Sequence, residues 1–395
     1  MWHFTNCVYL PTQDTTNPIC MKKSVYLLLG CLTSLFTFQC SPSTSTAEEE
    51  VPPQDEVVLS FAFLGCNRVS YGDRNNDSAT NITTANLAQL KRIFEELSAM
   101  ERKPELFFFL GDLVEGEKFD VTLERQLPAW FAQYNDPGFS PISQSGIELV
   151  AVPGNHEMLY YDSVGENAGD EFPLAGATDI WMEYALPYMP ADRQAVGGPD
   201  SLDNRATFAF QRKNIGFVVM NTDTYNAPTE EHPKGLEGQA PVEWINAQIT
   251  AYRENPEIDH VFVLGHKPYI VEGKPDTTHK GFADGGPIWE TMQAQRAIAM
   301  LSAHEHNYNR EQPDSTGGSY QVIAGNAGSK LTCSSSPACT YFGYSLIYVY
   351  ESGNVELKSY GWDSPSPYYA VSTAPTTLRD STELTWTPNA NPFIP

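Results

Sequence analysis

Four times along this chain a short apolar run stops at a small residue, and a polar side chain able to hold a metal follows. Leu106–Leu110 stops at Gly111-Asp112, and Glu148–Val152 leads into Gly154-Asn155-His156-Glu157. His260–Leu264 leads into Gly265-His266, and Ala297–Ser302 into Ala303-His304-Glu305-His306. A fifth run, Val57–Leu64, ends at Gly65-Cys66-Asn67-Arg68. Short apolar runs bounded in this way read as buried strands. Ligands of open α/β sheets collect beyond the carboxyl ends of strands, so these ends are expected to converge on one site. Their polar residues form an ordered series: Asp112, Asn155, His266, His304 and His306, with His156 beside Asn155. Neutral imidazole is a common ligand for zinc and iron, and the series points to metal-assisted hydrolysis.

The segments between the runs predict an α/β chain. Leu87, Leu90, Ile93, Phe94 and Leu97 recur at helical spacing, which predicts a helix over Thr84–Met100. Helical stretches near Pro241–Tyr252 and Trp289–Arg296 are expected to serve as crossovers. Thr207–Gln211 with Gly216–Asn221, and Ser345–Tyr350 with Val355–Tyr360, read as hairpins. Residues 158–205 read as a long loop that shapes the mouth of the site. The catalytic domain is expected to span 57–362, followed by an irregular Ser/Thr/Pro-rich tail, 363–395.

Lys and Arg total 24 against 49 Asp and Glu, a formal net charge of −25, and such a chain repels nucleic acid. Its amino-terminal part reads as an address. Met21-Lys22-Lys23 is cationic and Ser24–Phe38 is nearly continuous apolar sequence, of signal-peptide length and too short to span a bilayer. Met21 is therefore the expected start, with 1–20 as upstream sequence and 21–40 as the signal. Cys40, followed by the polar tether 41–56, fits a lipidated new amino terminus, although Gln39 is not the small residue such cleavage prefers; Cys31 is the alternative. The expected location is the periplasm or the outer membrane or cell surface as a lipid-anchored protein, with simple secretion otherwise. Cys333 and Cys339 could close a small disulfide in such a compartment or stay as two thiols, and Cys66 has no partner left over.

Gly111-Asp112, Gly154-Asn155-His156-Glu157, Val263-x-x-His266 with Lys267-Pro268, and His304-x-His306-x-Tyr308-x-Arg310 stand in the order seen in one superfamily. The chain over about 56–360 resembles the calcineurin-like metallophosphoesterases, and within them purple acid phosphatase-like members. Gly325-Asn326-Ala327-Gly328 looks like the Gly-rich turn of that group. The resemblance implies a two-sheet α/β/β/α sandwich and two metal ions (zinc, iron or manganese) that hydrolyse a small phosphorylated substrate, a phosphomonoester or phosphodiester. It implies that Asp112 bridges the metals, that Asn155, His266 and His304 complete one shell, and that His306 ligates the other. His156 is implied to serve the phosphate or the leaving group rather than a metal.

One departure matters. The superfamily opens with Asp-x-His, or with Asp alone in purple acid phosphatases, and Cys66 and Arg68 stand at those positions. Purple acid phosphatases also place Tyr three residues after the bridging Asp, where this chain has Glu115. Two readings follow. In one, Cys66 and Glu115 act as substitute ligands, a Cys at this strand end being known among PhoD-like phosphatases. In the other, Cys66 is a buried apolar side chain and Arg68 takes the missing cation's place or binds the substrate phosphate. Asn67, Tyr308 and Arg310 are assigned to substrate binding, with core packing and a surface ion pair as the alternatives for the last two. Lys267 and Lys330 are expected near the mouth; His232, His260 and His279 match no motif. If the altered first site holds one metal or none, the alternative is a non-catalytic surface lipoprotein that binds phosphate or glycan.

Overall fold

The structure is a computed structural model and describes residues 55–73, 81–118, 121–161, 170–197, 204–270, 282–312, 317–332 and 341–388. All belong to the unit Gln54–Pro395. The signal and lipidation assignments, Cys333, Cys339 and His279 lie outside the described residues.

In chain order the strands are β1 (Val57–Leu64), β2 (Leu106–Leu110), β3 (Glu148–Val152), β4 (Leu159–Tyr161), β5 (Glu171–Pro173), β6 (Gln194–Ala195), β7 (Phe208–Arg212) and β8 (Ile215–Met220). They continue with β9 (His260–Gly265), β10 (Ala299–Ser302), β11 (Tyr308–Glu311), β12 (Tyr320–Ala324), β13 (Tyr341–Tyr350), β14 (Val355–Asp363) and β15 (Thr377–Glu383). The helices are α1 (Leu87–Ala99), α2 (Leu123–Asn135), α3 (Asn155–Met158), α4 (Ala177–Ala185), α5 (Val242–Glu254) and α6 (Gly285–Gln295). Among the described residues the two large sheets run β15-β14-β13-β1-β2-β3 and β11-β12-β10-β9-β8-β7-β6, and β4 pairs with β5 in a small third.

The two sheets pack face to face through aromatic rings. Phe61 of β1 meets Phe217 of β8 and Phe262 of β9 at centroid distances of 5.3 and 5.1 Å, and Phe108 of β2 lies 5.3 Å from Phe217. Side chains alternate along a strand, so Phe107 and Phe109 point the other way. Phe107 meets Phe94 of α1 at 6.1 Å, and Phe109 meets Trp130 of α2 at 5.4 Å. This explains why Leu106–Leu110 is apolar at every position: both of its faces are covered. The second sheet repeats the arrangement, with Val218 and Val263 on the face that packs with Ile245 and Ile249 of α5 and Trp289 and Met292 of α6. Removing a ring such as Phe108 from this interior costs about 3–5 kcal/mol.

The expected two-sheet sandwich is present, with three revisions. The first helix starts at Leu87, not Thr84, because Thr84 has a left-handed φ of 56° and Asn86 gives its N–H to the Asn67 carbonyl at 2.6 Å. The tail after Trp362 is not irregular throughout: β15 pairs antiparallel with β14. The 158–205 insertion carries the β4–β5 hairpin and α4, whose Trp181 is fully buried.

Candidate metal centre

The first sheet brings the ends of β1, β2 and β3 together, and the second those of β9 and β10. Backbone bonds lace these ends. Cys66 gives its N–H to the Gly111 carbonyl and Asn67 gives its own to the Asp112 carbonyl, both at 3.0 Å. Cys66, Asp112 and His304 have φ of 61°, 56° and 65°. Such left-handed backbone in a non-glycine residue costs about 1–3 kcal/mol and persists where its surroundings enforce it. Gly154 permits a close approach: a Cβ there would lie 2.5 Å from Asp112 Oδ1.

Four side chains meet at this point. His266 Nε2 lies 2.9 Å from Asn155 Oδ1, 3.1 Å from Asp112 Oδ1 and 3.2 Å from His304 Nδ1. His304 Nδ1 is 3.1 Å from Asn155 Oδ1. All four residues are buried.

The hydrogen bonds around them fix which atoms carry protons. His266 Nδ1 lies 2.6 Å from the Leu110 carbonyl, so Nδ1 holds the proton and a neutral ring presents Nε2 as a lone pair. Asn155 donates Nδ2 to Glu171 Oε2 at 2.8 Å, which turns its Oδ1 to the imidazoles. The Asp112 carboxylate, the Asn155 amide oxygen and the His266 Nε2 lone pair thus face one another as acceptors around His304 Nδ1, an arrangement that a positive charge among them stabilises. Donors about 3 Å apart are spaced as ligands sharing one cation at about 2.0–2.2 Å. The set therefore fits a metal ion. Burial disfavours a charged His266, yet Asp112 outweighs it and raises the ring's pKa.

Glu157 holds the loops beneath this cluster. Its carboxylate accepts the N–H of Asp112 (2.9 Å), Leu113 (2.8 Å), Val114 (3.1 Å) and Gly154 (2.7 Å). Burial, and then Asp112, push its pKa up to about 7 against the N–H groups of Gly154 and Val114.

His156 lies on α3, with Nδ1 2.7 Å from the Glu115 carbonyl, so its Nε2 is the lone-pair nitrogen of the neutral ring. Burial and then Arg68 lower its pKa. His306 is oriented in the same manner, Nδ1 against the Lys330 carbonyl at 2.9 Å.

The departing strand end is built differently. Cys66, Asp112 and His266 have donor atoms within 4.8 Å of one another, and burial, then Asp112, hold the Cys66 thiol well above its ordinary pKa. Arg68 places Nε 3.5 Å from Asp112 Oδ2 and Nη1 3.1 Å from Glu115 Oε2. Glu115 Oε1 takes Lys118 Nζ at 3.3 Å and the Tyr71 N–H at 3.2 Å. Glu115, expected as a substitute ligand, therefore stands as the counter-ion of two basic side chains. Despite burial, Arg68 and His156 keep its carboxyl below the ordinary range.

The three residues assigned to substrate binding make these contacts within the fold. Asn67 is fully buried and donates Nδ2 to the Ala327 carbonyl at 2.7 Å, beneath the Gly-rich turn. The Tyr308 hydroxyl donates to Asp380 Oδ2 at 2.6 Å, and Arg310 pairs with both Asp380 oxygens at 2.7 and 3.2 Å. Lys267 is not at a mouth: it is fully buried against Asp223 (2.7 Å) and Glu237 (3.1 Å). His260 hydrogen-bonds the Gly353 carbonyl at 2.8 Å, and His232 lies 4.0 Å from Glu231. Sequence reasoning assigned no role to Glu157 or Glu171. The first could have been found, since it follows Asn155-His156 directly; the second sits in an insertion with no pattern to read.

No curated protein matches the chain. Its fold is similar to purple acid phosphatase PPD1 from yellow lupin (Lupinus luteus) seeds, at 13% identity and a TM-score of 0.48 over 84% of this chain and 54% of that one. The chain thus spans about half the length of the lupin protein. It is also similar to PhoD (12% identity, TM-score 0.49, 84% of this chain and 72% of that one). GAP50, the anchor in the inner membrane complex of Plasmodium, matches at 14% identity and a TM-score of 0.47 over 85% and 91% of the two chains. The calcineurin-like phosphoesterase family, which generally holds a dinuclear metal centre, matches residues 71–308, from just after the Cys66 strand end through His304 and His306. With more than half of its length matched and the matched strand ends gathered at one point, the chain belongs to the calcineurin-like phosphoesterase family.

Proposed function

We propose that the protein is an exported, metal-dependent hydrolase of phosphomonoesters or phosphodiesters. The observation that carries this is the convergence of Asp112 Oδ1, Asn155 Oδ1, His266 Nε2 and His304 Nδ1 within 2.9–3.2 Å contacts, with His156 on the adjoining helix. These four residues would hold a cation, which when bound supplies Lewis acidity and acidifies water. Leu110 and Glu171 fix the orientation of His266 and Asn155. An arriving anionic phosphate offsets the burial that keeps His156 neutral, so Nε2 takes up a proton. As water adds to phosphorus and the ester P–O bond breaks, His156 gives that proton to the leaving oxygen, which departs as an alcohol. Export rests on the 21–40 signal and Cys40; a Cys40→Ser chain should leave the membrane fraction, and its retention there would count against the lipid anchor.

The test is turnover of p-nitrophenyl phosphate and bis-p-nitrophenyl phosphate with added zinc, manganese or iron. Asp112→Asn and His304→Ala should each abolish hydrolysis while circular dichroism stays native. Unchanged turnover in both variants would refute the reading. No turnover of either probe with any metal would favour a phosphate-binding role.

A further inference from the structure

We propose that Arg68 replaces the first metal of the family's pair, so that this chain holds one metal ion, at Asp112, Asn155, His266 and His304. The inference rests on the metal-dependent reading above and specifies its stoichiometry. By the resemblance, Cys66 takes the place of the superfamily's first-motif Asp, and Arg68 that of the His which follows it in the Asp-x-His form. The two oxygens of Asp112 are divided: Oδ1 faces His266 at 3.1 Å, and Oδ2 faces Arg68 Nε at 3.5 Å. The carboxylate that would bridge two metals thus bridges one metal site and one guanidinium. Glu115 completes the exchange, with Oε2 on Arg68 Nη1 at 3.1 Å and Oε1 on Lys118 and the Tyr71 N–H. The side chains of Arg68, Asp112 and Glu115 are 9%, 1% and 0% exposed, so the pairing is built into the interior. A second cation against Asp112 Oδ2 would face the guanidinium at close range in a buried site, where like charges repel strongly. A planar guanidinium suits a phosphate oxygen as well as a carboxylate, so Arg68 supplies the second positive charge that a phosphoryl group meets.

The experiment is manganese stoichiometry of the purified full chain by elemental mass spectrometry, with electron paramagnetic resonance of the same sample. The wild type should take up about one Mn(II) per chain and show an isolated-ion spectrum, and the Cys66→Asp/Arg68→His double variant about two with an exchange-coupled spectrum. Arg68→Gln keeps the size and loses the charge, and it too should admit a second ion should the double variant fail to fold. Two exchange-coupled ions in the wild type would overturn the inference and leave the metal-dependent function standing. A folded Arg68→Gln chain that still takes up one ion would overturn the role given to the charge. No bound metal in the wild type would overturn the functional reading itself.

Discussion

Glu157 takes the backbone N–H of Asp112 at 2.9 Å, and through its other bonds it ties the loop after β2 to the loop after β3. Asp112 holds its left-handed φ of 56° within that clamp. In Glu157→Ala, four buried N–H groups lose their acceptor together, and stability should fall by about 3–5 kcal/mol. Urea unfolding measures this. A loss under about 1 kcal/mol would mean that the clamp contributes little.

His156 should act on the leaving group and not on the metal. His156→Ala is expected to lower kcat by about 10²–10⁴-fold while metal content stays unchanged. The defect should be small with p-nitrophenol as leaving group and large with an alkyl alcohol, which needs its proton. Equal loss with both leaving groups would assign His156 to phosphate binding instead.

Gly154 is kept for space rather than for an unusual backbone, since its φ of −103° suits any residue. A methyl there would lie 2.5 Å from Asp112 Oδ1 and 2.9 Å from His266 Cε1. Gly154→Ala should therefore weaken metal binding at least tenfold, with overpacking of about 1–3 kcal/mol. Gly197→Ala is the control, because nothing lies within 4 Å of its added Cβ. Calorimetric metal titration of the two variants decides, and equal affinities would remove the steric argument.

The strands of the sandwich and the series of candidate ligands were legible in the sequence because one physical cause marks both. A strand covered on both faces is apolar throughout, and the polar side chain that breaks the run stands out, as Asp112 does after Leu106–Leu110. The Arg68–Glu115 pair was not legible, since it joins residues 47 apart through side chains that read equally well as solvated charges. Glu171 reaches Asn155 from a hairpin that carries no periodic signal. β15 escaped notice for a related reason: Thr377–Glu383 buries none of its residues, so its strand character rests on backbone pairing with β14.

Asp380 is what fastens β15 to the strand that follows His306. Burial opposes its charge, but Arg310 and Tyr308 outweigh burial and lower its pKa below the ordinary 3.8. A depressed carboxylate pKa stabilises the folded state above the unfolded pKa, and that contribution is lost as pH falls through the lower folded value. Asp380→Asn should therefore cost about 1–2 kcal/mol near pH 6, a figure reduced for the pair's partial exposure. As pH falls through the lowered folded value the two proteins should converge, because the wild-type carboxylate is then protonated as well. Thermal melts of both chains across this range measure the gap. A gap that persists undiminished in acid would show that Asp380 acts through packing and not through its charge.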